Sequence, residues 1–230
     1  MSDIERRIIA QPVEIRANSE GGLILTGYAA KYMKLSRNLG GFVEQVHPQA
    51  FKKSLADNVP VRARYNHDDA FLLGTTEAGT LRVWSDDVGL PYEVDLPDTT
   101  AGVDVGKLAK RGDIRYSSFM FHAIADEWGA TDTGFPLRTI LSAVLMDVSP
   151  VVDPAYYDST AGLRSLAAAA HMTIEQLRDA SVDDVRTRLL SKSEVRDIEP
   201  PADVEPEPEN ARQGDTHLIG LRQKQLLLLK

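Results

Sequence analysis

The strongest constraint on this chain is a succession of short, alternating apolar runs, cut by turn residues, that fills its first 165 residues. The runs RRIIAQPVEIRA and GGLILTGYAAKY read as two strands joined through NSEGG, a turn-rich hairpin connection. VRARYNH alternates, and LGTTEAGTLRVWSDDVGLPYEVDLP gives two or three strands broken at Gly79 and at DDVG. Two longer runs, 114–128 and 138–151, are joined by a glycine-containing loop. Helical patterns interrupt the strands twice. In 47–58, Pro48 suits a first turn, and Phe51 and Leu55 share a face. In 98–112, Asp98 or Thr99 can cap the start and Gly112 the end. Roughly seven strands with a helix or two predict a mainly β fold with flanking helices (α+β), a small, mostly antiparallel barrel.

The pattern changes after residue 165, where 166–196 reads as a helical extension with a capping box from Thr173 to Gln176. Residues 197–216 are acidic and proline-rich, a composition that buries too little apolar surface to fold alone and predicts a disordered linker. The last stretch, 217–230, is basic and apolar, with the pattern of an amphipathic docking segment. A net charge of −8 argues against nucleic-acid binding, because phosphates would be repelled by most of the surface. With no cysteine, the chain has no disulfide framework, thiolate nucleophile or Cys-ligated zinc. The apolar runs are too short to span a bilayer, and the opening residues lack the apolar core of a signal peptide, so a soluble intracellular protein is expected.

At period two, strand 114–124 sets Phe119, Phe121 and Ala123 on one face and Tyr116, Ser118, Met120 and His122 on the other. If the phenylalanines face the core, Ser117 points in with them and Ser118 points away, placed to attack an incoming group. Regular alternation in the next strand sets Ile140, Ser142, Val144, Met146 and Val148 against Leu145 and Asp147. A carboxylate on such a strand needs a partner or solvent. His67, Ser118 and Asp147 therefore form a candidate set of base, nucleophile and orienting acid, since a serine hydroxyl attacks well only when a positioned imidazole takes its proton. Ser117 is the alternative nucleophile and Asp153 the alternative acid, while His122 can line the same groove. Arg64 and Arg138 are candidates to position a peptide carbonyl or support an oxyanion hole. NHDD has no second cluster to make a metal site, and no G-x-S-x-G nucleophile elbow is present.

The segments GYAAKY, LGGFVEQVHPQAFKKSL, VRARYNHDDAFLLGTTEAGTLRV, GLPYEVDLPDTTAGVDVGKLAKRGDIRYSSFMF and RTILSAVLMDVSPVVDPAYYDS, in this order, resemble the prohead serine proteases of tailed bacteriophages. The resemblance runs from about residue 26 to residue 160. It implies a fold similar to herpesvirus assemblin and a serine endopeptidase that needs no cofactor or metal. Its partners would be the major capsid protein and the scaffold or scaffolding segment, cleaved inside the procapsid in the host cytoplasm, often together with the protease itself. A homodimer is implied by analogy with assemblin. The family's histidine falls on His67, its serine on Ser118 and its acidic residue, usually glutamate, on Asp147. Tyr116 and Met120 stand where the family often has glycine, which alters the substrate groove more than the chemistry. The competing expectation is a non-catalytic internal scaffold on the same fold.

Overall fold

Pro12 divides the first apolar run in two, because a proline cannot donate to a strand ladder. The two pieces join different sheets: β1 (Ile4–Ile9) and β2 (Glu14–Ala17). The computed structural model describes residues 4–9, 12–19, 21–152 and 160–191, all within the compact unit Met1–Val195. The sequence readings for 197–216 and 217–230 lie outside the described residues.

Strand β2 makes the expected hairpin with β3 (Leu23–Lys31), with Glu14 opposite Thr26. Strand β3 pairs onward with β8 (Gly89–Asp95), and β8 with β7 (Leu81–Val83), completing a four-stranded antiparallel sheet. The second sheet runs β1, β9 (Tyr116–Ala130), β10 (Pro136–Val151), β5 (Arg62–Arg64) and β6 (Leu72–Thr75). Strand β4 (Val43–Val46), absent from the sequence reading, pairs parallel with the start of β10, and β5 pairs parallel with its end. The mainly β, α+β expectation holds. The expected barrel does not close: among the described residues no continuous ladder joins the two sheets, which touch through an isolated parallel bridge from Tyr32 to Val46, and side chains fill the space between them. At Gly74 of β6, for instance, an added Cβ would stand 2.8 Å from a Val94 methyl of β8.

The core between the sheets holds Leu25, Phe51, Leu90, Tyr92, Val94, Phe119, Phe121, Leu145 and Val148. Phe51 packs edge-on to Phe119 at 5.9 Å, which docks α1 (Lys52–Ala56) against the nucleophile-candidate strand. Helix α2 (Thr100–Arg111) is capped by Thr99, whose hydroxyl accepts from the Gly102 amide, and ends at Gly112 with φ 87°, a left-handed conformation that glycine adopts without penalty. Helices α3 (Thr160–Ala169), α4 (Ile174–Asp179) and α5 (Val182–Leu190) enclose a smaller cluster around Phe42, Leu166, Ala170, Val185 and Leu189. The Thr173–Gln176 capping box opens α4.

The edge strand β1 is tied down by charge. Arg7 donates to Glu44 at 2.8 Å and to Glu5 at 2.5 Å, and Arg138 donates to Glu5 at 2.7 Å, to Glu44 at 3.0 Å and to Asp126 at 2.6 Å. Glu5, Arg7, Glu44 and Arg138 are all buried. Burial works against the charge of each guanidinium, but the surrounding carboxylates outweigh it and hold both arginines above their ordinary range. Arg138 is therefore a structural cation inside this cluster, and the expectation that it serves a peptide carbonyl is not met.

Candidate active site

The histidine sits on a tight turn that continues β5. Asn66 and His67 have φ of 54° and 60°, two successive non-glycine residues in the left-handed region. Asparagine tolerates that region, but a pair of such residues persists only where the surroundings hold it. Here the Asn66 amide donates to the Pro150 carbonyl at 3.1 Å, and the Asn66 side-chain oxygen accepts from the Val152 amide at 3.3 Å. Both anchors lie at the end of β10. On the other side, Asp68 accepts from the Ala70 amide at 2.9 Å and opens a single 3-10 turn, Asp69–Phe71. The turn thus delivers the imidazole to the sheet that carries the serine and the acid.

On β9 the predicted alternation holds. Ser117 faces the core, where its hydroxyl meets the Tyr92 hydroxyl at 3.0 Å. Burial pushes the Tyr92 phenol well up; the Ser117 hydrogen bond opposes that and the charge of Asp147 adds to it. Tyr92 therefore stays neutral. Ser118 lies on the opposite face, and its hydroxyl is 2.6 Å from His67 Nε2. It is nonetheless fully covered, at 0% exposure, rather than open as the sequence suggested.

On β10 the simple alternation fails. Leu145 stands opposite Phe121, but Asp147, not Met146, stands opposite Met120. This bulge leaves Leu145 and Val148 in the core and turns Asp147 to the Ser118 face, with Ser149 directly opposite Ser118. Asp147 is hydrogen-bonded to His67 Nδ1. A carboxylate only accepts, so Nδ1 carries the ring proton and Nε2 is free to accept from Ser118. The structure thus brings together all three residues singled out in the sequence, and all three are buried.

Two neighbours were not foreseen in these positions. Ser149 Oγ donates to Asp147 Oδ1 at 2.7 Å and lies 3.0 Å from His67 Nδ1. Its spacing of two from Asp147 was the readable signal. Arg64 Nε donates to Asp147 Oδ2 at 2.5 Å, and the same guanidinium pairs with Asp69. Partial burial works against the Arg64 charge, but the bonds and charges of Asp147 and Asp69 raise it above its ordinary range. Arg64 is thus engaged with the acid rather than directed at an incoming carbonyl. His122 shares the Ser118 face but joins none of these bonds, and its buried Nδ1 has no hydrogen-bond partner among the described residues. Asp153 lies outside the described residues.

A two-sheet β fold carrying a hydrogen-bonded Asp–His–Ser chain has the arrangement of a serine hydrolase. Within that class the chain belongs to the caudovirus prohead serine proteases, a family it matches over residues 11–173. No curated protein matches it. Among solved structures it is similar to the bacteriophage T4 capsid assembly protease, gp21, with a TM-score of 0.46 and 14% identity over 64% of this chain and 96% of that one. No helix among the described residues is long and apolar enough to cross a membrane.

Proposed function

We propose that this protein is a serine endopeptidase of procapsid maturation that cleaves the scaffold, or the scaffolding segment of the major capsid protein, and also itself. One observation carries the reading: a single imidazole bonds the Ser118 hydroxyl through one nitrogen and the Asp147 carboxylate through the other. In the first step Ser118 Oγ attacks the scissile carbonyl carbon while its proton passes to His67 Nε2. Asp147 stabilises the imidazolium so formed. The tetrahedral adduct collapses as Nε2 returns the proton to the leaving amine, and the C–N bond breaks. Water then repeats the sequence on the acyl ester and frees Ser118.

Complete burial of Ser118 favours a resting state in which this machinery is assembled but closed, so that substrate reaches Oγ only after its cover opens. The same burial supports a second reading, a non-catalytic assembly protein on a protease fold. Co-expression with the cognate capsid protein separates the two, with intact-mass analysis of the products for wild type and Ser118→Ala. New termini in the capsid protein or scaffold that vanish with Ser118→Ala are expected. Full-length partners in both samples would overturn the protease reading.

A further inference from the structure

We propose that Arg64 and Ser149 are positioning residues, which hold the Asp147 carboxylate and through it fix the plane of the His67 ring. The proposal rests on the hydrolytic reading above and extends it from three residues to five. Asp147 is fully buried, and its described partners are one donor from each of three elements: the His67 turn, β5 and β10 itself. Two of these donors are not His67. A buried carboxylate tied only to an imidazole can swing about its own side-chain torsions. With Arg64 on Oδ2 and Ser149 on Oδ1, both oxygens are fixed before the ring arrives.

Ser149 has a second task. Its oxygen lies 3.0 Å from Nδ1 while its proton goes to Oδ1, so it borders the same ring edge as Asp147. Rotating the imidazole out of plane would break two contacts rather than one. Arg64 adds a constraint of charge. Its guanidinium bridges Asp147 to Asp69, so the cation stands next to the pair that must accept a proton. Loss of Arg64 would leave the Asp147 carboxylate with one donor fewer and Oδ2 without its guanidinium partner.

The test compares wild type with Ser149→Ala, Arg64→Gln and Arg64→Lys, using a capsid-derived peptide for rates and proton NMR for the His67 Nδ1–H. Ser149→Ala should lower kcat by roughly 10- to 100-fold with KM nearly unchanged, the effect of one hydrogen bond to a charged group. Arg64→Gln should likewise lower kcat by roughly 10- to 100-fold with KM nearly unchanged, and Arg64→Lys should restore most of that loss. In both Ser149→Ala and Arg64→Gln the Nδ1–H signal should exchange with solvent at least ~10-fold faster, since the ring is less well held. Folded variants with an unchanged kcat and an equally protected proton would overturn the proposal. If wild type cleaves nothing, yet the proton loses protection in both variants, the positioning roles stand and the protease reading fails.

Discussion

Replacing Arg138 by methionine tests whether the buried charge cluster holds β1 in the sheet. In the native protein two carboxylates, Glu5 and Glu44, share two guanidiniums, Arg7 and Arg138, and all four groups are buried. Methionine fills much of the same volume but leaves both carboxylates with Arg7 alone and strips Asp126 of its cation. Breaking a buried pair from one side costs about 3–5 kcal/mol, because the remaining charge stays out of water without compensation. A domain of this size has only about 5–15 kcal/mol in total, and each kcal/mol lowers Tm by roughly 2–4 °C. Calorimetry at pH 7 should therefore show Tm lower by roughly 6–20 °C. Amide exchange should rise first over residues 4–9, since the cluster is what ties that edge strand to β4 and β10. Adding Glu5→Gln should recover part of the loss by removing the stranded charge. Arg138→Met within about 1 kcal/mol of wild type, or no recovery in the double variant, would refute this account.

Two further outcomes follow from local geometry. Gly27→Ala places a methyl 2.8 Å from Ser117 Oγ and 3.3 Å from both Tyr92 and Val13, so urea denaturation should show about 1–3 kcal/mol of overpacking; a neutral result would mean that the layer behind Ser118 yields. Asp86 accepts from the Val88 and Gly89 amides and the Tyr28 hydroxyl; burial works against its charge, but those bonds outweigh it and depress its carboxyl. The stability it contributes is therefore present above the ordinary aspartate value of about 3.9 and is lost as pH falls through the lower folded value. Asp86→Asn should be about 1 kcal/mol less stable at pH 7, with the difference shrinking below about pH 4 in denaturation curves taken across pH.

The two long strands show where a period-two reading holds and where it stops. On β9, alternation alone separates Ser117, which meets Tyr92, from Ser118, which meets His67, because this part of the strand carries no extra residue. On β10, alternation groups Leu145 with Asp147 and sets Val148 against both, whereas Leu145 and Val148 share the core and Asp147 faces the other way. Asp147 stands out in the sequence all the same, because a carboxylate on a strand needs a partner whichever face it takes, and the resemblance, which compares positions along the chain, falls on it as well. The role of Ser149 is not legible in the sequence, because it depends on lying across from Ser118, a register set by pairing. Arg64 is legible as a candidate, but its partner Asp147 depends on the pairing of β5 with β10 in the same way. The bulge at Met146 reconciles demands that a regular strand could not meet. Without it, either Leu145 would leave the phenylalanine layer or Asp147 would enter that layer, a buried carboxylate with no donor. One extra residue in the ladder keeps the apolar side chain in and turns the acid out toward His67, and the sequence carries no local mark of it.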